Sequence, residues 1–170
     1  MLRLEFPNET HREMYEDMLE EWSQEDDFKD TSPWALFHGK SYEEFLEITQ
    51  KVFKWEYLDY TPSTLFFLIE GDVLVWWIDI RHNIDAVYLQ EYAWHIWYGI
   101  RPSKRKQWYA TRILELWLKE AQKLEIQKAL VCCYDNNIGS NKVIQVNGGI
   151  LEKKAKHEDG TYFNRYWITL

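Results

Sequence analysis

This sequence of 170 residues has few cysteines, no long apolar run and no excess of basic residues. Its two cysteines are adjacent, at Cys132 and Cys133, so neither a disulfide framework nor a spaced set of thiolate metal ligands is predicted. No apolar run approaches the roughly 18 residues that span a membrane, and no secretory signal pattern opens the chain. We therefore expect a cytoplasmic protein with no membrane partner.

The net charge of −8 is unevenly distributed along the chain. Residues 1–60 carry 16 acidic and 6 basic side chains, and residues 61–170 carry 12 and 14. A chain of this overall sign would repel a phosphate backbone, so nucleic acid is not an expected partner. The acid-free stretch 101–112, RPSKRKQWYATR, is the exception. By spacing alone it fits either a small-anion site or a solvated basic turn.

Composition and periodicity predict one α/β (α+β) domain spanning residues 1–170. With 46% hydrophobic and 28% charged residues, the chain has the composition of an ordinary globular protein. The predicted order of elements is β-α-α-β-β-β-α-β-α-β-β, which fits neither a doubly wound nucleotide fold nor an all-β sandwich. Capping boxes at Thr10 with Glu13 and at Ser41 with Glu44 begin the first two helices. The clearest helical period covers 109–124, and the segment 23–40 is predicted to be a long loop.

The strand predicted at 95–100 is followed by a basic turn, 101–107, and then by the strong helix. A helix start presents unpaired backbone N–H groups and the positive end of the helix dipole, so this arrangement suits a phosphate or pyrophosphate. Arg105, Lys106 and Gln107 would add side-chain donors.

The residues around this turn resemble a known family. The run HIWYGIRPSKRKQWYATRILELWL, followed by ALVCCYDNNIGSNKVIQVNGGILE, resembles the acetyl-CoA-binding core of the GCN5-related N-acetyltransferases. The segments IDIRHN and DGTYFNRYWI resemble a bacterial branch of predicted acetyltransferases. The family's pyrophosphate loop reads Arg or Gln, two variable residues, Gly, one variable residue, then Gly or Ala. Here it runs from Arg105 to Ala110, with Trp108 in place of the first glycine.

The resemblance implies a mixed, mostly antiparallel, twisted central sheet of about seven strands flanked by about four helices. It also implies acetyl-CoA as cosubstrate. The pantetheine arm would pair with the backbone of residues 98–100, the pyrophosphate would rest on the amides of 105–111, and the segment 137–142 would approach the thioester. The implied cofactor-binding residues are Tyr98, Gly99, Ile100, Arg105, Lys106, Gln107, Trp108, Tyr109, Ala110, Thr111, Asn137, Ser140 and Lys142.

The implied chemistry is direct attack of a neutral amine on the acetyl carbonyl, which needs a base, an oxyanion donor and often an acid for the thiolate. His95 stands where many relatives carry a glutamate, so it is a candidate base, with a structural histidine as the alternative. The family's frequent thiolate-protonating tyrosine corresponds to Ile144, so no acid is predicted. Asp79 and His82 are candidates for the acceptor cleft, although Asp79 and Arg81 equally fit a structural ion pair.

Tryptophan replaces small residues at several positions around this candidate site. Trp76, Trp94, Trp97 and Trp108 stand where relatives tend to have Gly, and Trp77 and Trp117 where they tend to have small residues such as Ala. Adjacent strand residues project to opposite faces, so Trp76 and Trp77 are predicted to face opposite sides. The indoles would either fill the channel between the central strands or face away from it.

Two functions therefore remain open. The first is an N-acetyltransferase that moves an acetyl group from acetyl-CoA to a primary amine of a small molecule or a peptide, with the acidic N-terminal third attracting a cationic acceptor. The second is a catalytically degenerate or engineered member whose Trp-filled pocket no longer binds acetyl-CoA and serves in binding or a non-enzymatic role.

Three further expectations concern metal, thiols and assembly. The five histidines have no metal-ligand spacing, so no metal is predicted. Cys132 and Cys133 lie in the middle of a predicted strand, where an inert pair is expected rather than a nucleophile. A homodimer is the expected assembly, although the last segment, TYFNRYWITL, equally fits an internal strand.

Overall fold

The computed structural model describes residues 2–25, 38–57, 60–84, 95–98, 100–105, 107, 109–156 and 160–170, and for 96–98 the backbone alone. Its α-helices are α1 (Arg12–Trp22), α2 (Tyr42–Phe53), α3 (Tyr109–Lys123) and α4 (Ile138–Val146). Its strands are β1 (Leu2–Glu5), β2 (Ser63–Glu70), β3 (Val73–Arg81), β4 (Ile96–Tyr98), β5 (Lys128–Tyr134), β6 (Ile150–Lys156) and β7 (Tyr162–Thr169). Short 3-10 helices lie at Glu9–His11 and Pro102–Lys104.

The order of α-helices and strands along the described residues is the predicted one, and the α/β class is confirmed. The chain forms two compact units, Met1–Ile80 with Trp97–Gln107 and Arg81–Ile96 with Trp108–Leu170. That residues 1–170 form a single domain stays a prediction.

Each unit contains its own set of paired strands. In the first unit β2 lies between β1 and β3, and β1 pairs with β2 antiparallel. In the second unit β5 pairs with β4 in parallel through Ile96 and Val131, and β7 lies antiparallel between β5 and β6. The pairing is therefore mixed and mostly antiparallel, as the resemblance implied.

The first capping box lies two residues earlier than predicted. Asn8 is the capping residue: its side chain accepts hydrogen bonds from the backbone and the hydroxyl of Thr10, and His11 Nδ1 accepts from the backbone N–H of Asn8. The prediction of a Thr10 and Glu13 box was wrong because the Thr10 hydroxyl is engaged as a donor to Asn8. The second box, at Ser41, is confirmed.

The core of the first unit is strongly aromatic. Trp76 and Trp77 are both fully buried, and both contact α1. The ring centroids of Trp76 and Trp22 are 4.2 Å apart, and those of Trp77 and Tyr15 are 5.9 Å apart. Their own rings lie 5.4 Å apart. The prediction that these neighbours face opposite sides was wrong, because each bulky indole packs against the same helix.

The core of the second unit is built by α3, β5 and α4. The buried residues of α3, Ile113, Leu114, Trp117 and Ala121, recur at helical spacing and lie on one face. Residues 129–131 of β5 and Ile144 of α4 are also fully buried. Trp117 is therefore a core residue. Across the described ranges, no helix is long and apolar enough to cross a membrane.

Candidate functional site

The basic turn that follows β4 is held against α1 by carboxylates. Arg101, with 7% of its surface exposed, places Nη2 2.7 Å from Asp17 Oδ2 and donates through Nε to Glu21. Arg105 Nη1 lies 3.2 Å from Glu25 Oε2. Asp17 and Glu21 are four residues apart and share a face of α1, and Glu25 follows just beyond the end of that helix.

Glu21 makes the most contacts with this turn. Besides Arg101, it accepts hydrogen bonds from the backbone N–H of Ser103 at 2.6 Å and from the Ser103 hydroxyl at 3.0 Å. Burial alone would raise the pKa of Glu21, but the hydrogen bonds from Ser103 and Arg101 outweigh burial and lower the pKa. The carboxylate is therefore ionised at neutral pH.

Two other cations of the turn also have partners. Arg105 donates through Nε to the carbonyl oxygen of Ile100 at 3.1 Å, and its guanidinium lies 5.3 Å from the centre of the Trp22 ring. Lys104 Nζ lies 3.4 Å from Glu70. Arg101, Lys104 and Arg105 therefore each contact a carboxylate.

Helix α3 begins at Tyr109, where the sequence predicts a helix start. Tyr109, Ala110 and Thr111 form its first turn, at the positive end of the helix dipole, which is suited to an anion. Before the helix, Gln107 donates through Nε2 to the carbonyl oxygen of Ser103 at 3.0 Å. Gly99, Lys106 and Trp108, which the sequence assigns to the cofactor site, lie outside the described residues, as do Trp94 and the side chains of Tyr98 and Trp97.

His95 joins β4 to β5 at the head of β4. Its backbone N–H donates to the carbonyl of Leu130 at 3.0 Å, and the backbone N–H of Leu130 donates to His95 Nδ1 at 2.9 Å. His95 is buried, with 6% of its surface exposed. Because Nδ1 accepts a hydrogen bond, the arrangement assigns the ring proton to Nε2 and the neutral form to His95.

His95 and His82 line the same open cavity, of about 650 Å³, in the second unit. Glu152, Arg165 and Trp167 also line it, and Arg165 Nε donates to Glu152 at 2.8 Å. Burial lowers the pKa of His82, so this imidazole is neutral at pH 7. The cavity therefore brings together two neutral imidazoles and an ion pair whose arginine is buried and whose glutamate is exposed.

Asp79 belongs to the first unit and is not among the described residues that line this cavity. It is buried, and the hydroxyl of Tyr60 donates to its Oδ2 at 3.4 Å. The assignment of Asp79 and His82 to an acceptor cleft stays a prediction.

The start of α4 carries the remaining predicted cofactor residues. Asn137 caps the helix, and its Oδ1 accepts from the backbone N–H of Ser140 at 3.0 Å. Lys142 lies exposed on this helix. At the other end of α4, Asn147 Nδ2 donates to the carbonyl oxygen of Thr111 at 3.3 Å, which links α4 to the first turn of α3.

Sequence reasoning missed two groups of residues that organise these segments. The carboxylates on and after α1 are one group, and their spacing of four at 17, 21 and 25 was the signal that could have identified them. Asn141 is the other: its Oδ1 accepts from Asn164 Nδ2 at 2.8 Å and from the Tyr166 hydroxyl at 2.6 Å. No spacing signal marks Asn141, because its partners come from a distant strand.

Neither thiol is ionised at neutral pH, and the described ranges hold no cluster of metal-ligating side chains. Burial raises the pKa of both Cys132 and Cys133 to about 12, so both are protonated thiols at neutral pH. Ile144 is fully buried and carries no proton to donate. In the part of the chain that the structure describes, no group of three or more His, Cys, Asp or Glu side chains could hold a metal ion.

No protein-family model and no curated protein matches the sequence. Solved structures match over almost the whole chain. RimL, a ribosomal-protein alpha-N-acetyltransferase in complex with coenzyme A, has a TM-score of 0.71 and 16% identity, covering 99% of this chain and 94% of that chain. The microcin self-immunity acetyltransferase MccE, in complex with acetyl-CoA and AMP, has a TM-score of 0.70 and 15% identity, covering 99% and 92%.

A third structure, a spermidine N-acetyltransferase chimera made from Vibrio cholerae SpeG and hSSAT, has a TM-score of 0.66 and 14% identity. The match covers 99% of this chain and 94% of that chain. At such identities the likeness establishes a shared fold and leaves the activity to be argued from the site.

Proposed function

We propose that this chain, which has the fold of the GCN5-related N-acetyltransferases, transfers an acetyl group from acetyl-CoA to a primary amine. The observation that carries the proposal is the match to solved acetyltransferases over 99% of the chain, two of them in complex with coenzyme A or acetyl-CoA. The acceptor is a small-molecule or peptide amine, since the matched structures include a ribosomal-protein acetyltransferase and a spermidine acetyltransferase.

In this proposal the cofactor's pyrophosphate binds at the start of α3. The positive end of the helix dipole lies at Tyr109, Ala110 and Thr111, where it favours an anion. The pantetheine arm pairs with the backbone of residues 98–100, and Asn137, Ser140 and Lys142 lie along the CoA arm. Bound acetyl-CoA supplies an activated acetyl carbonyl that the amine attacks.

His95 and His82 contribute to the acceptor side. His95 is neutral with its proton on Nε2, so it offers a hydrogen-bond donor into the cavity rather than a basic nitrogen, as long as Leu130 keeps Nδ1 occupied. A base role would require the amine's proton to displace the Leu130 hydrogen bond. We therefore propose that His95 orients the head of β4, and that the amine arrives in its neutral form or loses its proton to water. Asp79 remains a candidate residue of the acceptor cleft.

A substitution of His95 separates these two roles. Asparagine can accept the Leu130 hydrogen bond through its side-chain oxygen but cannot act as a base. With a positioning role, His95→Asn keeps most of kcat and leaves the pH profile of kcat unchanged. A loss of kcat of about a hundredfold together with the disappearance of a pH-rate limb near neutrality would assign the base role to His95.

The described tryptophans do not favour a degenerate pocket. Trp76 and Trp77 pack against α1, and Trp117 packs in the core of the second unit. These three indoles therefore act as core residues. A single domain of residues 1–170, a homodimer and a cytoplasmic location stay predictions.

The test is an acetyl-transfer assay with a panel of amines. The panel contains spermidine, free amino acids and short peptides with unblocked N-termini, and the readouts are release of the CoA thiol and the mass of the acetylated product. Amine-dependent release with at least one acceptor class supports the proposal. Saturable binding of acetyl-CoA with no transfer to any class, or no binding at all, contradicts it.

A further inference from the structure

An exposed group of aromatic rings lies at the end of α2 in the first unit. Phe6, Phe53 and Trp55 have 54%, 46% and 62% of their surfaces exposed, and we call these three residues the aromatic cluster. The ring centroids of Phe6 and Phe53 are 6.0 Å apart, and Trp55 follows Phe53 by two residues. Phe6 also packs on Phe66 of β2, with 4.7 Å between the ring centroids. The cluster is therefore seated on the core of its unit while much of its apolar surface is in contact with solvent.

Trp55 holds an unusual backbone conformation. Its φ is +64°, in the left-handed region, and in the described part of the chain only one other non-glycine residue has a positive φ. It follows Lys54, the C-cap of α2, at a position where glycine is the usual residue because it has no Cβ. A bulky side chain there costs folding free energy, and burial within one chain recovers only part of this cost when most of the residue is exposed. The fold of a single chain therefore gives less reason for a tryptophan here than for a glycine.

We propose that the aromatic cluster is the centre of a two-fold interface between two copies of this chain. In such an interface the same patch meets itself, so that a residue at one position contacts the partner's residue at another and the reverse contact is also made. Lys54 and Glu56 are both exposed and flank Trp55 on either side. With the two-fold axis close to Trp55, Lys54 of one subunit faces Glu56 of the partner subunit, and this ion pair occurs twice. The charges around the cluster are therefore complementary to a second copy of the same patch.

The exposed area of the cluster is of the size that the centre of such an interface needs. An aromatic side chain carries about 150–250 Å² of surface, so three rings about half exposed present on the order of 300 Å² per copy. A stable interface buries about 1,200–2,000 Å² in total, somewhat more than half of it apolar. Two copies of the cluster therefore supply most of the apolar area of a small but stable interface. Tryptophan is also enriched among the residues that carry most of the binding free energy at such interfaces.

Sedimentation equilibrium of the full chain, from low micromolar to near-millimolar concentration, measures this pairing. Trp55→Gly is the decisive variant, because glycine adopts a left-handed φ without steric cost and the fold should be as stable as before or more stable. Urea unfolding at the lowest concentration checks that stability. Tyr162→Ala is the matched control, since Tyr162 is an aromatic residue of the second unit with 47% of its surface exposed.

A charge exchange tests whether the partner is a second copy. Lys54→Glu places like charges opposite each other in the proposed interface, whereas Lys54→Glu combined with Glu56→Lys restores two opposite pairs. Both residues are exposed, so neither change should alter the fold.

We expect the wild type to change from one chain to two over this concentration range. Trp55→Gly should raise the dissociation constant of the dimer about thirtyfold or more. Lys54→Glu should raise it about fivefold, and the double exchange should return it to within about twofold of the wild type. Tyr162→Ala should match the wild type.

Acetyl transfer is not needed for this pairing, so its outcome is separate from that of the proposed function. A wild type that stays a single chain throughout would overturn the inference, as it would if the cluster binds some other protein or a lipid surface. A dimer that Trp55→Gly leaves intact would place the interface elsewhere and would overturn it too. The same holds if the double exchange fails to restore what Lys54→Glu loses, or if Tyr162→Ala weakens the dimer as much as Trp55→Gly does.

Discussion

Replacement of Trp76 by alanine tests whether the indoles of this chain are core residues. Trp76 has 0% of its surface exposed, and its ring centroid lies 4.2 Å from the ring centroid of Trp22. Removing a fully buried tryptophan costs the transfer free energy of its lost atoms and leaves a cavity, in total about 3–5 kcal/mol. For a chain of this length, about 2–4 °C is lost for each kcal/mol, so we expect Trp76→Ala to lower Tm by about 6–20 °C.

A second variant tests the indole nitrogen. Among the described residues, Trp76 Nε1 is buried with no hydrogen-bond partner. Trp76→Phe removes that polar group and keeps most of the apolar area, so we expect it to cost about 1 kcal/mol or less in unfolding free energy. The control, Ile150→Ala, is at a position with 73% of its surface exposed and should change stability by no more than about 0.5 kcal/mol.

Urea unfolding followed by tryptophan fluorescence and circular dichroism measures all three variants. A loss of less than about 1 kcal/mol for Trp76→Ala would refute the assignment of this indole to the core. Equal losses for Trp76→Phe and Trp76→Ala would contradict the small cost expected for removing the indole N–H.

Two other predictions concern a glycine contact and an ion pair. A Cβ at Gly149 would lie 2.8 Å from the carbonyl oxygen of Ile144, so Gly149→Ala should lower the free energy of unfolding by about 1–3 kcal/mol. At Gly139 a Cβ would meet no atom closer than 3.6 Å, so Gly139→Ala should be neutral or stabilising in thermal unfolding. Equal effects of the two substitutions would contradict this explanation. The hydrogen bond from Arg165 lowers the pKa of Glu152, so this pair stabilises the fold above the unfolded-state pKa and the contribution is lost as pH falls through the lower folded-state value. Unfolding free energy measured from about pH 6 to pH 3 should therefore fall less steeply in Glu152→Gln than in the wild type, and parallel curves would count against the pair.

The elements of this fold were predictable where the pattern was local. The strand at 128–134 and the start of α3 at Tyr109 were both identified by apolar spacing and by the composition of the flanking residues. The Ser41 capping box was predicted because its two members lie three residues apart. The Thr10 box failed for a local reason too, since Asn8 competes for the Thr10 hydroxyl.

The chemistry of the turn was not predictable from its own residues. A run with five cations and no acid fits either an anion site or a solvated basic turn, and only the tertiary structure brings Asp17 and Glu21 to Arg101. In the same way, the type of residue at 95 fitted a base and a structural histidine equally. The hydrogen bond from Leu130 to Nδ1, which argues for a positioning role, depends on strand pairing and has no sequence signal.

Thermal denaturation with increasing acetyl-CoA tests the central claim most directly, because it asks whether this fold holds the cofactor before any acceptor is known. A ligand at one hundred times its dissociation constant adds about 2.7 kcal/mol of stability, equivalent to a rise in Tm of about 5–10 °C for a chain of this size. Desulfo-CoA serves as a control for reaction of the free thiol. The account predicts a saturable rise with acetyl-CoA, CoA and desulfo-CoA alike, and an unchanged Tm up to millimolar acetyl-CoA would contradict it.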